Sequence, residues 1–379
     1  MLCFNKIAFL TYNKTIVIYG GVCMSESYFL GAMTQYGFST EIGKLIEDKD
    51  YYTYILKGGP GTGKSTLMKK IAEEFDDSEH VIRFYCSSDP CSLDAVLLCK
   101  SKTVIVDGTS PHIFDPLYPG VCQKVVNLGE LWNDTFLKDN KEKIIDVTDK
   151  NKSLLTQAKR YSGALTNVCY DTYFCSESCL DKEKLSLYAN KIGKKSFGKK
   201  QSRNGSKIIR QLSALTERGY DLIDETLESY IDVYSINDKY FSATNVFIEF
   251  ISDEAVKRGL DVIICPSVVF NNNVYENLLI PDLGIAFISN SELTDIDGKF
   301  EKHINLDRFY DKETMVKMRS RFKLNKAYMK NLILEISNTI KEAKSIHDEI
   351  EKYYIRAMNH DKLENIRNEI VNEITNSKI

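Results

Sequence analysis

Along this chain the hydrophobic and polar positions change period repeatedly. Short apolar or alternating runs give way to three- and four-residue spacing, the pattern of strands interleaved with helices. A β-rich run, Tyr51-Tyr52-Thr53-Tyr54-Ile55-Leu56, is followed by Leu67, Met68, Ile71, Ala72 and Phe75, which share one helical face. Further strands are predicted over 81–86 and 104–107, the second of which, Val104-Ile105-Val106, is continuously apolar before Asp107. Such runs are typical of strands buried on both faces of a mainly parallel sheet.

The pattern then recurs at an offset of about 180 residues. The run over 81–86 and the following Leu97-Leu98 are answered by 260–265 and Leu278-Leu279; 104–107 by Ile285-Ala286-Phe287-Ile288; Asn127-Leu128 by Asn305-Leu306; and Lys184-Leu185 with Ile192 by Lys362-Leu363 with Ile370. The alternative is two unrelated α/β domains with generic strands. Toward the end, Leu332, Ile333, Ile336, Ile340, Ala343, Ile346, Ile350 and Tyr354 predict a long amphipathic helix from Met329 onward, and Leu363, Ile366, Ile370 and Ile374 a second, antiparallel to it. These helices suit packing on the rest of the chain, or a protein partner.

Between the first strand and the first helix lies Gly58-Gly59-Pro60-Gly61-Thr62-Gly63-Lys64-Ser65-Thr66, which contains the spacing GxxxxGK[ST]. Glycines let the backbone take positive φ and approach a ligand, so that successive N–H groups line an anion-binding concavity at a helix N-terminus. In a strand-to-helix setting this is a phosphate-binding loop, with Lys64 reaching the β/γ-phosphates and Ser65 facing Mg²⁺. Asp107, ending a buried strand, is the matching metal-side carboxylate. The expected cofactors are therefore ATP and Mg²⁺. In the repeat, Gly58, Gly63, Lys64, Ser65 and Asp107 align with Asn237, Ser242, Ala243, Thr244 and Ile288, so the second copy is expected to be silent.

Two neighbouring loops supply catalytic candidates. Asp89, in Cys86-Ser87-Ser88-Asp89-Pro90, is the candidate base, although an aspartate capping a turn reads the same way. His112, in the loop after Asp107, can sense the γ-phosphate or serve a second substrate; a structural histidine also fits. Asp115 reads as a turn residue.

The stretches 56–71, Cys86-Ser87-Ser88-Asp89, Val106-Asp107-Gly108-Thr109 with Pro111-His112, and Asn127-Leu128-Gly129 together resemble a bacterial family of P-loop ATP-binding proteins with tandem P-loop halves. The likeness covers most of the chain. It implies a duplicated α/β fold of the P-loop NTPase type, a three-layer αβα sandwich with helical C-terminal extensions on each half. The family has no settled activity, and its second half usually keeps a phosphate loop, from which 237–244 departs. The resemblance also implies initiation near Met24, residues 1–23 being an extension or an added strand.

The expected domains are accordingly 24–192, a basic linker 193–210, and 211–379. With 50 Lys+Arg against 53 Asp+Glu, the net charge of −3 gives no general attraction to nucleic acid. The linker, with seven positive charges and no acid, reads by default as a solvated segment, the sharper alternative being a phosphate or nucleic-acid contact or a cationic finger reaching across to the nucleotide. Ten cysteines without CxxC pairs read as reduced thiols of a cytoplasmic protein; Cys169, Cys175 and Cys179 fit no common zinc spacing. No run reaches the ~20 apolar residues of a membrane span. The expected function is an ATPase whose hydrolysis moves one half or the helices. The alternatives are a small-molecule phosphotransferase and a nucleotide-gated binding module with negligible turnover. GTPase chemistry is disfavoured by the lack of an NKxD motif.

Overall fold

Strands and helices alternate as the hydrophobic pattern predicts. The structure, a computed structural model, describes residues 7–9, 16–18, 26–294, 296 and 298–376. Apart from an antiparallel pair, Ile7–Phe9 with Ile16–Ile18, the expected extension over 1–23 and the initiator Met24 lie outside the described residues.

In chain order the sheet-forming strands of the first half are β1 (Glu26–Phe29), β2 (Tyr52–Lys57), β3 (Val81–Tyr85), β4 (Leu93–Leu98), β5 (Thr103–Asp107) and β6 (Gln123–Asn127). Those of the second half are β7 (Lys207–Ile209), β8 (Asp232–Asn237), β9 (Val262–Pro266), β10 (Tyr275–Ile280), β11 (Ile285–Asn290) and β12 (Lys302–Asn305). The principal helices are α1 (Lys64–Phe75), α2 (Lys141–Glu177), α3 (Lys182–Ser196), α4 (Ser242–Lys257), α5 (Lys312–Ala357) and α6 (His360–Asn376).

Each half forms a six-stranded, mostly parallel sheet flanked by helices. The first has order β6-β2-β5-β4-β3-β1 and the second β12-β8-β11-β10-β9-β7. In both, the fourth strand of that order is antiparallel to its two neighbours: β4 between β5 and β3, and β10 between β11 and β9. Identical order and identical placement of the reversed strand support a duplicated α/β domain over a chance likeness of strand patterns.

Compact unit 1 comprises Met1–Gly31, Thr40–Ala158 and Asn338–Ile379, and unit 2 comprises Ala32–Ser39 and Lys159–Ser337. The later part of α2 and all of α3, which follow the first sheet in the chain, therefore belong to unit 2, and the later part of α5 and all of α6, which follow the second, to unit 1. In unit 1, Ile370 and Ile374 of α6 join Leu67, Met68 and Ile71 of α1 over the sheet. In unit 2, Leu185 and Ala189 of α3 join Ala243, Phe247 and Ile251 of α4. The apolar face of α6 is thus spent on α1, in place of the antiparallel pairing with α5 that its pattern predicted. Helix α5 starts at Lys312, well before Met329; its first turns bury few positions, so no continuous apolar stripe marked them.

The segment 193–210 ends α3 and forms β7. Within it, Arg203 is paired with Asp261 and Asp282, each at 2.6 Å, and Lys207 with Asp253, so these charges brace unit 2.

Candidate functional site

Unit 1 places the glycine-rich loop between β2 and α1. Strand β2 is buried from Thr53 to Leu56, and Leu67, Met68 and Ile71 anchor the helix, so the loop is held at both ends. Gly61 and Gly63 take φ of +67° and +83°, conformations that cost an L side chain about 1–2 kcal/mol. The Lys64 ammonium folds back over the loop, donating to the Gly58 carbonyl at 2.9 Å and the Gly59 carbonyl at 2.8 Å. It also lies 3.6 Å from Asp107 Oδ2. Thr62 Oγ1 donates to Gly59 O at 2.8 Å, which tightens the turn around Pro60. Ser65 Oγ accepts from the Leu93 amide at 3.0 Å; Thr66 follows in the first turn of α1.

The reversed direction of β4 has a chemical consequence. Its first residues, not its last, lie at the carboxyl edge of the parallel strands, and with Ala95 opposite Val106 the next pair brings Asp94 beside Asp107. His112, from the loop after β5, completes the group; one ligand atom from each of Asp94, Asp107 and His112 lies within 4.8 Å of the others. Asp107 Oδ1 accepts from the Thr109 amide at 2.9 Å and its hydroxyl at 2.5 Å. Burial, then the charge of Asp107, pushes the Asp94 carboxyl up to about 8. His112 Nε2 stands 3.8 Å from Asp94 Oδ2. Burial lowers its imidazole below the ordinary value, so it is neutral at neutral pH.

Asp89 points elsewhere. Lys344 of α5 pairs with it at 2.8 Å and Ser92 Oγ donates at 2.6 Å. Burial pushes its carboxyl up, but these donors outweigh burial and hold it below the ordinary carboxylate range. Asp115 is exposed and paired with Lys57 at 3.0 Å.

The end of α5 and the start of α6, both in unit 1, lie directly on the glycine loop. The Gly61 amide donates to Glu351 Oε1 at 3.2 Å. A Cβ at Gly59 would come within 2.8 Å of the Tyr354 ring, one at Gly61 within 2.7 Å of the Glu351 carbonyl oxygen, and one at Gly63 within 2.7 Å of Leu363. At Gly61 glycine is required by close approach of backbone as well as by φ.

In unit 2 the corresponding loop is shorter by two residues, 238–241 against 58–63. Leu56 pairs with Asp107 and Ile236 with Ser289, and the helices begin at Lys64 and Ser242. The aligned positions are therefore corrected: Gly58 corresponds to Asp238, Gly63 to Phe241, Lys64 to Ser242, Ser65 to Ala243, and Asp107 to Ser289. A constant offset had missed the two-residue deletion. Phe241 keeps the positive φ, +71°, of Gly63. The loop amides have an internal acceptor. Asp238, fully buried, takes Thr244 N–H at 2.7 Å and Tyr240 N–H at 3.0 Å, and the Tyr310 hydroxyl at 2.8 Å. Ser242 is bonded to Ser176 Oγ at 2.7 Å and to Tyr310 OH at 3.0 Å.

Asp94 and Glu351 carry roles that sequence reasoning did not assign. An acidic residue opening the otherwise apolar run 93–98 was a usable signal for Asp94; Glu351 lies 290 residues from Gly61 and had none. Among the described residues Cys86, Cys91, Cys122, Cys169, Cys175 and Cys179 are free thiols, and no helix is long and apolar enough to cross a membrane. No protein-family model, curated protein or solved structure matches the chain.

Proposed function

We propose that this protein is an ATP-binding P-loop NTPase with one active site, in its amino-terminal half, where Mg²⁺-dependent hydrolysis drives a conformational change. One observation carries the reading. The Lys64 ammonium is folded onto the carbonyls of its own glycine loop and faces Asp107 at the end of the adjacent strand, the pairing a phosphoryl group and its metal would bridge. The loop amides and the N-terminus of α1 would cradle the phosphates, and Lys64 would exchange its carbonyl partners for phosphoryl oxygens.

The residues fit Mg²⁺. The ion takes hard oxygen donors, and the buried Asp94 Oδ2 makes no hydrogen bond, so a cation would give it a partner. Ser65, Asp107 and Asp94 would hold it, and when bound it neutralises charge on the β- and γ-phosphates. Neutral His112 is placed to exchange a hydrogen bond at this edge of the sheet. Unit 2 lacks the lysine and the long loop, and Asp238 already occupies its amides, which favours a single site.

One observation favours the binding-module reading as well: Asp89, the candidate base, is engaged by Lys344, which suits slow turnover. The test is MgATP titration and phosphate release on the parent and on Lys64→Ala. Loss of a charged hydrogen bond worth roughly 1.5–3 kcal/mol predicts binding weaker by about ten- to a hundredfold. Equal binding by Lys64→Ala would refute the site. Phosphate transfer seen only with an added acceptor would move the assignment to a kinase.

A further inference from the structure

The arm formed by the end of α5 and the start of α6 supplies an anion to the glycine loop. Glu351 Oε1 accepts the Gly61 amide, one of the donors that a phosphoryl oxygen would need. His347, one turn earlier and 3.6 Å away, then the loop amide, hold the Glu351 carboxyl below the ordinary range against partial burial. The same arm packs Tyr354 against Gly59 and Leu363 against Gly63 and pairs Lys344 with Asp89, so the contact is built from several directions. Further along, Glu373 bonds Tyr54 at 2.8 Å and Lys124 at 2.6 Å, anchoring α6 away from the loop.

The repeat shows the same seat filled differently. Counting back from the aligned helix caps Asn359 and Asp181, Glu351 falls at Tyr173 and Tyr354 at Ser176. In unit 2 these neutral groups reach the loop end of α4, Tyr173 bonding Asn245 and Ser176 bonding Ser242. Only the glycine loop is met by a carboxylate from this helix position, and that side chain remains 36% exposed.

We propose that Glu351 is a displaceable stand-in for phosphate: its carboxylate caps the loop in the nucleotide-free state, a triphosphate tail evicts it, and eviction releases the α5–α6 arm from the loop. The inference rests on the nucleotide reading above and names the regulation of that site. Phosphate and carboxylate compete for one amide and repel one another, so occupancy by ATP and seating of Glu351 exclude each other.

The experiment compares the full-length parent with Glu351→Gln, which keeps the size and an acceptor but removes the charge, and with Glu351→Ala. MgATP affinity is measured by calorimetry, and amide exchange is followed over 59–63 and 344–354. The expected result is MgATP binding tighter by about tenfold or more in both variants, the change that ~1.4 kcal/mol represents. Without nucleotide, loop exchange should be faster in Glu351→Ala, and ATP should accelerate exchange over 344–354 in the parent. Unchanged or weaker binding in the variants, with the parent still binding ATP, would overturn the stand-in and leave the nucleotide site intact. If neither parent nor variants bind any nucleotide, the nucleotide reading fails and the stand-in fails with it.

Discussion

Replacing Asp238 by asparagine should destabilise unit 2 although it changes a single atom. The carboxylate offers only acceptors, and three donors converge on it: Tyr240 N–H and Tyr310 O–H on Oδ1, and Thr244 N–H on Oδ2. Asparagine has one acceptor oxygen. With that oxygen in the Oδ1 position, its NH₂ faces the Thr244 amide, where 2.7 Å now separates two donors. In the flipped orientation it faces two donors. At least one buried donor is orphaned, a cost of about 1–3 kcal/mol, partly offset because no charge need be desolvated. Asp238→Ala orphans all three and should cost more, on the order of 2–5 kcal/mol before any rearrangement.

The assay is urea unfolding followed by far-UV circular dichroism, with hydrogen exchange at Tyr240 and Thr244 as the local readout. The chain's single tryptophan, Trp132, belongs to unit 1, so an unchanged native emission is the control that the effect is confined to unit 2. Neither variant should gain nucleotide affinity, because Ser242 stands where Lys64 does. An Asp238→Asn protein as stable as the parent, with Tyr240 and Thr244 amides exchanging no faster, would refute the claim that this carboxylate fills the anion seat of the shortened loop.

Asp107→Asn should weaken Mg²⁺-dependent ATP binding by at least the roughly 10–100-fold typical of residues supporting a metal. Since the charge of Asp107, second to burial, holds Asp94 up near about 8, the titration of Asp94 should move down in this variant, as carboxyl NMR would show. Glu276, buried in unit 2 with Tyr220 bonded to it at 2.8 Å, has its carboxyl raised by burial. The folded protein thus holds the Glu276 proton more tightly than the unfolded chain does. The stabilisation is full below the ordinary carboxylate range and is lost as pH rises through the raised value. Glu276→Gln should flatten that fall in the urea midpoint above the ordinary carboxylate range, and a parent whose midpoint is as flat with pH as the variant's would contradict it.

Local features of this chain were legible and distant ones were not. The glycine loop, the strand before it and the helix after it are set by adjacent residues, so period and turn chemistry read them directly. The duplication was legible because strands 104–107 and 285–290 keep their apolar runs. The unit 2 loop was misaligned because composition does not report a deletion: the ladder, Leu56 on Asp107 and Ile236 on Ser289, fixes the strands, and the helix starts at Lys64 and Ser242 then count the missing residues. Helix α6 was read correctly as amphipathic but assigned the wrong partner, since the stripe Leu363, Ile366, Ile370 and Ile374 says that a face must be covered and not by what. Asp94 became important only because β4 runs backwards, a fact of topology that a strand's own sequence does not encode.

The two halves then answer one electrostatic problem in two ways. A turn that aims backbone N–H groups at a helix N-terminus creates a site that favours an anion. In unit 2 the anion is part of the turn. Asp238 is two residues before Tyr240 and six before Thr244, so it cannot leave without unmaking the backbone that it organises, and it is fully buried. In unit 1 the acceptor is a long side chain on a helix, bonded to one loop amide at 3.2 Å and partly open to solvent. Rotation about its side-chain bonds removes it at the cost of the Gly61 hydrogen bond, about 1.5–3 kcal/mol for a charged acceptor, and of its contact with His347. On the proposed reading, a triphosphate held by several amides, an ammonium and a metal would exceed that. On that reading the same fold, repeated, yields one seat whose acceptor is built into the turn and one whose acceptor would be exchanged, and only the second would report on what is bound.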